Sequence, residues 1–300
     1  MLPMKLLKKL LKWSKITIIS LLLVLAIAYL VIYNLSQQRI QKTYSYTDAA
    51  ISIPSDSLSI AKGEHLYKIR SCQDCHGEKG EGSLFMDDKM LIQLTAPNLT
   101  KGNGEIAAFK TTDWLRVLRH GVDKNGRSLF MMPSHEINTL TNEDLANLIA
   151  YCKQLAPVAN LQEKLHSIGP IGRLLMVINQ VTVLPAEKID HRAIHTEKLK
   201  EKTGVAYGQY LSSGCQGCHR PDMKGGGPLA PGFPPVPNIT GDGNVGNWNE
   251  QSFIATIRNG KTPEGKELNN NYMPWKSIGH FTDEELKSIF MYLQQIREKH

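Results

Sequence analysis

The sequence predicts an all-α protein in which two similar tandem domains follow a single N-terminal transmembrane helix. Three observations favour this class: an uncharged apolar run near the N-terminus, apolar residues at helical spacing in the rest of the chain, and a set of short motifs that occurs twice. The 300 residues suffice for two domains of ordinary size, and a composition that is 41% hydrophobic and 21% charged excludes a multi-span membrane protein. The 24 glycines and 15 prolines are too few for a fibrous or disordered chain.

The apolar run Ile16–Leu35 predicts a membrane anchor. As a helix, its 20 residues rise about 30 Å, which is the thickness of the hydrocarbon core. Five lysines precede the run and only Arg39 and Lys42 follow it closely, so the positive-inside rule places the N-terminus in the cytoplasm. A cleaved signal peptide is the alternative, although the run exceeds the usual length of about 7–15 residues and no A-x-A site follows. We therefore expect a basic N-terminus and anchor over 1–35 and a polar tether over 36–57.

The net charge of +7 is concentrated at this end of the chain. Five lysines precede the apolar run, and without them the remaining chain carries a net charge of only +2. These residues are Lys5, Lys8, Lys9, Lys12 and Lys15. A nearly neutral body predicts neither a nucleic-acid partner nor a large electrostatic docking field. The sequence also shows no glycine-rich phosphate loop and no nucleophile triad. The excess charge therefore reports membrane topology.

An internal repeat divides the rest of the chain into two units. Five landmarks recur in the same order 139–143 residues later: Cys72 at Cys215, Pro97-Asn98-Leu99-Thr100 at Pro237-Asn238-Ile239-Thr240, Arg119 at Arg258, Met132-Pro133 at Met273-Pro274, and Thr141–Leu145 at Thr282–Leu286. Such a series with a nearly constant offset indicates duplicated domains. We expect the first domain over 58–156, a connector over 157–198 and the second domain over 199–300.

Each unit reads as mostly helical. Thr282 and Glu285 form a capping box before apolar residues at helical spacing, and Thr141 precedes the same pattern in the first unit. The middle helices, Thr112–Arg119 and Glu250–Arg258, both stop near a glycine suited to a C-cap.

Two long stretches, Gly77–Thr100 and Arg220–Gly246, are rich in glycine or proline and are expected to be irregular. Loops of this length in a compact domain suggest that something other than protein fills the space beneath them. The connector contains the apolar run Leu174–Leu184, which is too short to span a bilayer. We expect it to pack between the two domains, with a docking strip for a partner as the alternative.

The motif C-x-x-C-H occurs twice, as Cys72-Gln73-Asp74-Cys75-His76 and Cys215-Gln216-Gly217-Cys218-His219. Two thiols at this spacing can add to both vinyl groups of one haem, and the adjacent histidine can then ligate the iron. A thioredoxin-like dithiol has no use for the histidine, and a structural zinc site needs four converging ligands. The pattern therefore predicts two covalently attached haem c groups on Cys72, Cys75, Cys215 and Cys218, with His76 and His219 as iron ligands. The fifth cysteine, Cys152, lies on an apolar helix face and is expected to be a small buried residue.

A second axial ligand is expected from a methionine in each unit. Met132 and Met273 both precede proline at equivalent places in the repeat, and a thioether ligand favours Fe(II) and raises the reduction potential. Met131 remains an alternative to Met132, because a one-residue slip would exchange them. The histidines without a repeat partner, expected to be surface residues rather than ligands, are His120, His135 and His280.

Other paired residues have weaker assignments. Arg119 and Arg258 could contact haem propionates, with a plain helix-end role as the alternative. Asn98 and Asn238 could brace the haem edge or form turns. Three tryptophans are expected to line the haem crevices: Trp114, Trp248 and Trp275.

On these motifs each unit resembles a class I cytochrome c domain, over about 58–156 and 199–300. The segment Gly172–His191 resembles linkers of dihaem cytochromes that serve membrane-bound dehydrogenases. The departures are Arg220, where the family usually has glycine, and the doubled Met131-Met132. The resemblance implies that haem attachment follows export and needs reduced thiols, in agreement with the topology read from the anchor.

The sequence thus predicts a membrane-anchored dihaem cytochrome that transfers single electrons between redox partners in the cell envelope and is not itself an enzyme. It would act as a shuttle or as the cytochrome subunit of a larger complex. Its partners would be a dehydrogenase, a quinol-oxidising complex or a terminal oxidase. The expected location is the bacterial inner membrane, with the N-terminus cytoplasmic and the haem domains periplasmic. A dihaem peroxidase, which needs one five-coordinate haem, is the main alternative, and a haem-based sensor or assembly factor is a third.

Overall fold

The computed structural model describes residues 4–102, 105–160, 163–229 and 232–297. The helices in this part of the chain are α1 (Met4–Gln41), α2 (Ser57–Ile69), α3 (Cys72–His76), α4 (Thr111–His120), α5 (Ser134–Ile137), α6 (Asn142–Gln154), α7 (Pro170–Val177), α8 (Gly204–Leu211), α9 (Gln216–His219), α10 (Glu250–Asn259), α11 (Trp275–Ile278) and α12 (Asp283–Gln295). The strands are β1 (Ser83–Asp87), β2 (Ile92–Ala96) and β3 (His166–Ile168). Short 3₁₀ turns lie at Glu105–Ala108, Pro185–Lys188, Ser212–Cys215 and Asn244–Asn247.

The N-terminal helix α1 is longer than the apolar run that predicts it. Its hydrophobic section has a mean hydropathy of 2.7 and none of it is buried against the rest of the chain. Within the described residues it is the one helix long and apolar enough to cross a membrane, a property that an anchor and a signal sequence share. Beyond the run, Ser36 is fully buried by contacts with the folded part of the protein.

In each domain the first and last helices cross at a glycine. Helix α2 packs on α6 in the first domain, and α8 packs on α12 in the second. A Cβ atom at Gly63 would overlap the carbonyl oxygen of Asn147, and one at Gly208 would overlap the carbonyl oxygen of Ser288. Only glycine permits so close an approach of two backbones. The same crossing in both units supports the duplication that the sequence predicts.

We expect Gly208→Ala to destabilise the second domain by about 2 kcal/mol or more, because the added methyl meets backbone that cannot rotate away. Thermal or urea unfolding of the haem-loaded protein measures the change. Gly227→Ala is the matched control, since a Cβ atom there meets nothing within 4 Å. Equal stabilities of the two variants would contradict the close crossing.

The predicted helix ends are confirmed. Gly121 and Gly260 follow α4 and α10 in the left-handed conformation, with φ of +61° and +65°. The Thr141 side chain accepts from the backbone N–H of Asp144, and Thr282 with Glu285 forms a complete capping box. These signals are local in sequence, which is why they could be read without the fold.

The all-α class is confirmed, with one small addition in a stretch predicted to be irregular. Strands β1 and β2 form an antiparallel hairpin within Gly77–Thr100, and β3 from the connector pairs with β2. The strand β2 alternates buried and half-buried residues, so its side chains do fit a half-buried strand. In the equivalent stretch of the second domain, the described residues form a single bridge, Gly226 with Val236, and thus follow the prediction more closely.

The apolar connector segment packs in a different place from the one predicted. Met176, Val183 and Leu184 are buried, but they form a cluster with β2 and β3 of the first unit and not with the second domain. Helix α7 also packs on the outer end of α1. The connector therefore packs against both the first domain and the N-terminal helix. Its apolar residues cover the small sheet, which the sequence did not predict.

Candidate haem sites

The two C-x-x-C-H motifs form equivalent short helices, and each presents a buried histidine. His76 is 7% exposed and His219 is 4% exposed. The Nδ1 atom of His76 lies 2.9 Å from the carbonyl oxygen of Pro97, and that of His219 lies 3.0 Å from the carbonyl oxygen of Pro237. A carbonyl oxygen can only accept, so Nδ1 carries the proton and Nε2 keeps its lone pair. This is the tautomer that an iron ligand requires, with its ring held in place by the second hydrogen bond.

Burial also keeps both imidazoles neutral. It lowers the pKa of His76 and of His219 below the ordinary value, and the hydrogen bond to the proline carbonyl opposes that effect only in part. A neutral ring is the form that binds a metal. The repeated Pro-Asn motif therefore has a role that the sequence analysis did not assign. Its recurrence at nearly the same offset as the cysteines was the signal that could have found it.

The four motif cysteines carry free thiols whose protonated form is favoured. Burial raises the pKa of Cys72 and of Cys215 to about 12 and that of Cys75 to about 11, and it raises the pKa of Cys218 as well. The zinc alternative finds no support, since no three His, Cys, Asp or Glu side chains among the described residues are grouped to hold a metal ion. Cys152 is 5% exposed and lies in the apolar core, as predicted.

The methionines of the doubled pair lie in different surroundings. Met132 packs against the cluster that forms the domain core, as Met273 does in the second unit, and Cys72 and Cys215 pack against the same cluster. Met131 packs instead in the cluster of the sheet and connector. Its backbone N–H donates to the carbonyl oxygen of Val183, and its φ is +53°. Met132, and not Met131, therefore packs against the apolar cluster that the first attachment cysteine also contacts.

One buried indole donor of the first domain has no partner among the described residues. Trp114 is 4% exposed, and its Nε1 atom has no hydrogen-bond partner in the described part of the chain. Buried indole N–H groups usually find an acceptor, and a haem carboxylate would be one. The other two predicted tryptophans have partners: Trp248 Nε1 donates to Glu264, and Trp275 Nε1 donates to the carbonyl oxygen of Leu268. The neutral histidines, the protonated thiols and this donor fit a haem.

Arg119 and Arg258 occupy equivalent positions and make equivalent contacts. Arg119 is 2% exposed, and its Nη1 atom donates to the carbonyl oxygens of Asn138 at 2.7 Å and Leu140 at 2.6 Å. Arg258 donates to the carbonyl oxygens of Gly279 and Phe281. Each arginine thus joins the middle helix to the turn before the last helix. These partners assign both a clamping role, and propionate contact stays a prediction.

The three histidines without a repeat partner have polar partners of their own. The Nε2 atom of His120 lies 2.8 Å from Asp48 of the tether, and its Nδ1 atom lies 3.1 Å from Nδ1 of His191 in the connector. His120 is 4% exposed, so the expectation of a surface residue is wrong for it. The tether crosses the first domain at this point, a long-range contact that no local pattern signals. His135 lies at 3.8 Å from Glu136, and His280 at 3.1 Å from Gln73.

Each attachment motif contacts the other domain, and the two contacts are reciprocal. The Ser277 hydroxyl of the second domain donates to Asp74 of the first motif at 2.7 Å. In the corresponding contact, Glu136 of the first domain lies directly against Gly217 of the second motif. Helix α2 contributes His65, whose Nε2 lies 2.8 Å from Glu285, and helix α8 contributes Tyr210, whose hydroxyl donates to Asp144 at 2.6 Å. The side chains of both domain cores form one continuous apolar cluster.

A buried guanidinium lies at the centre of this interface. Arg70 is 7% exposed, donates through Nη1 to Ser213 at 3.0 Å and lies over the Tyr210 ring. Its Nε and Nη2 atoms have no hydrogen-bond partner among the described residues. Arg70 precedes Cys72 by two residues, and its Nη1 atom would lie 3.3 Å from a Cβ atom on Gly214, the residue before Cys215.

The carboxyl group of Glu136 gives the interface a pH dependence. Burial raises its pKa from about 4.5 to about 7, and Arg70 opposes that shift. The folded protein therefore holds this proton more tightly than the unfolded chain, and the resulting stabilisation is lost as the pH rises from about 4.5 through 7. We expect the melting temperature of the haem-loaded protein to fall over this range and Glu136→Gln to flatten the fall. Glu143→Gln, at a half-exposed carboxylate 3.3 Å from Lys202, is the control. An unchanged pH profile in the Glu136 variant would contradict the assignment.

The fold and the sites together define a chain with two cytochrome c domains, and comparison with known proteins agrees. Residues 59–152 match the family described as cytochrome c oxidase, cbb3-type, subunit III, and residues 205–297 match the family described as cytochrome c. Both matches lie inside the domains expected from the repeat. The resemblance drawn from the motifs is thereby confirmed, while the exact domain boundaries stay a prediction.

Two curated proteins are similar to most of the chain. The gluconate 2-dehydrogenase cytochrome c subunit of Pantoea cypripedii is 26% identical over 290 residues, covering 86% of this chain and 64% of that protein. The fructose dehydrogenase cytochrome subunit of Gluconobacter japonicus is 24% identical over 270 residues, covering 80% of this chain and 53% of that protein. The chain thus spans between about half and two thirds of the length of these relatives.

Proposed function

We propose that this protein is a membrane-anchored dihaem cytochrome that transfers single electrons between redox partners in the cell envelope. The observation that carries the proposal is the duplicated site itself: two buried, neutral histidines whose Nδ1 atoms are held by proline carbonyls, on attachment motifs that each contact the other domain. Electron-transfer proteins need cofactors held at fixed positions, and the continuous core provides that rigidity.

Two haem c groups fit the sites, bound covalently by Cys72 with Cys75 and by Cys215 with Cys218. A bound haem c supplies one-electron cycling between Fe(III) and Fe(II). His76 and Met132 would be the axial ligands in the first domain, and His219 with Met273 in the second. The chain orients each histidine through the proline carbonyl, and the packed methionine would keep water and oxidants away from the iron. The packing of Met132 in the core and of Met131 in the sheet cluster supports this choice between them.

The anchor would remain part of the mature protein. Arg173 donates to Ser36 of α1 at 2.7 Å, and Arg39 of α1 forms a salt bridge with Glu187 at 2.5 Å. Removal of α1 as a signal peptide would leave this buried polar surface without its partner. With the basic residues on the opposite end, the positive-inside rule places the N-terminus in the cytoplasm and both domains in the periplasm of a bacterial inner membrane.

The partner is proposed from the relatives and from the chemistry of the sites. Both relatives are named as cytochrome subunits of dehydrogenases, which supports a dehydrogenase as the electron donor and a role as a fixed subunit. A free shuttle that serves a quinol-oxidising complex or a terminal oxidase is the competing arrangement. The peroxidase alternative gains no support, because equivalent methionines pack in both domain cores and both relatives are electron-transfer subunits by name.

Two measurements test these proposals. The purified protein should show the reduced absorption bands of c-type haem, with two haems per chain that stay attached under denaturing electrophoresis. Replacing both cysteines of the second motif, Cys215→Ser with Cys218→Ser, should leave one covalently attached haem. Absence of these bands would refute the function outright. Native electrophoresis in mild detergent, followed by haem staining and identification of co-migrating proteins, separates a fixed subunit from a shuttle. A lone species of 33.5 kDa would contradict the fixed-subunit version.

A further inference from the structure

We propose that helix α7 of the connector binds the surface of the lipid bilayer beside the membrane anchor and so fixes the first domain against the membrane. This inference rests on the proposed anchor but adds a second contact with lipid that the anchor does not require. It concerns the apolar face of α7, formed by Ile171, Leu174 and Ile178, together with the neighbouring Met90.

The face is apolar and lacks a partner within the described part of the chain. Ile171 is 43% exposed, Leu174 is 39% exposed and Ile178 is 52% exposed, and their spacing places them on one side of the helix. Met176 on the opposite side is fully buried against the first domain. Met90, which is 50% exposed, extends the face, because its carbonyl oxygen accepts from the backbone N–H groups of Ile171 and Gly172.

The position of α7 along the anchor points to lipid as the occupant. The described side chains of α1 are exposed as far as Val31, and the first buried one is Ser36, immediately after the apolar run ends. Arg173 of α7 donates to Ser36 at 2.7 Å and lies over the Tyr33 ring, 4.4 Å from its centroid. Tyrosine rings at the end of an apolar run mark the headgroup level of a bilayer. Helix α7 is therefore held at the boundary between hydrocarbon and water.

Chemistry at this boundary agrees with such a contact. A short helix with an apolar face on one side and protein on the other binds the interfacial region by burying that face among acyl chains and headgroups. Lys42 lies at the same end of α1 and faces a groove beside Val177, where phosphate groups of lipids would be its natural neighbours. The acidic side chain nearest to Met90, Asp88, is occupied by the backbone N–H groups of Met90 and Leu91.

Nitroxide accessibility in lipid nanodiscs tests the proposal on the full chain with both haems attached. Single cysteines are introduced as Leu174→Cys, Leu25→Cys within the apolar run and Ile194→Cys on the connector, in a Cys152→Ala background. Ile194 is the matched control, because it is an aliphatic residue of the same connector and is 99% exposed. Collision rates with oxygen, which partitions into lipid, and with a water-soluble nickel complex are compared at each position.

We expect the label at position 174 to collide with oxygen several-fold more than with the nickel complex, as the label at position 25 does, and the label at position 194 to show the reverse. A label at 174 that behaves like the one at 194, while the label at 25 is in lipid, would refute the membrane contact and leave the anchor intact. Protection of position 174 from both reagents would assign the face to a protein partner and likewise refute the proposal. A label at 25 that collides with the nickel complex would refute the anchor itself.

Discussion

Replacing Met132 by leucine is expected to lower the reduction potential of the first haem site by roughly a tenth of a volt or more, within the span of about 0.8 V that axial ligands set. Leucine keeps the volume and apolar character of methionine but has no thioether to ligate the iron, so Fe(II) loses its preferred ligand. A spectroelectrochemical titration of the haem-loaded protein measures the effect. One of two one-electron waves should move, and the weak far-red band of sulfur-to-iron charge transfer should lose half its intensity.

The neighbouring methionine is the natural control. Met131→Leu should leave both waves and the far-red band unchanged, because Met131 packs against the sheet and connector rather than the core. Met273→Leu should move the other wave by a similar amount. The opposite result, a shift in the Met131 variant and none in the Met132 variant, would show that the ligand is displaced by one residue. If neither variant moved a potential, methionine ligation in the first domain would be wrong.

The candidate site residues could be chosen from the sequence because their signals are local or repeated, and their roles stay a prediction. A C-x-x-C-H motif places its thiols and histidine on one short helix without help from the rest of the fold, and the cap glycines and threonines act within a single turn. The repeat strengthened each assignment, since two equivalent methionines are harder to explain by core packing than one. The class, the motif histidines and the helix ends needed nothing further.

What the sequence did not reveal depends on contacts between distant segments. The proline carbonyls that orient His76 and His219 are 21 and 18 residues away from them, and nothing in a carbonyl group marks it as a partner. The strand β3 pairs with β2 across more than 70 residues, so the first long loop read as irregular. In the two reciprocal contacts of the interface, the carboxylate comes from non-equivalent positions: Asp74 of the attachment motif in one contact, and Glu136 outside the motif in the other. A search for residues that match between the repeats therefore does not find the interface. Each of these features is decided by tertiary packing.

The clamping arginine of the first domain is the residue with the largest expected effect on stability. Arg119→Leu should lower the free energy of unfolding by about 3–5 kcal/mol, because it leaves two buried carbonyl oxygens without donors and removes a charge-assisted contact with Asn142. Chemical unfolding followed by tryptophan fluorescence, which reports on both domains, measures the loss. The equivalent Arg258→Leu should cost less, since the Arg258 side chain is 33% exposed and water can replace it.

The same pair of variants separates a clamp from a propionate contact. A guanidinium that joins α4 to the turn before α6 stabilises the fold without touching the cofactor, so its loss should reduce stability while the potentials of the folded protein stay within experimental error. If the guanidinium paired instead with a haem carboxylate, its loss would change the reduction potential of that haem and make the potential more dependent on pH. The reason is that a buried carboxylate without its counter-charge binds a proton more tightly. The clamping role would be wrong if Arg119→Leu changed the reduction potential more than Arg258→Leu does and left stability nearly unchanged. That result would support the propionate contact predicted from the repeat.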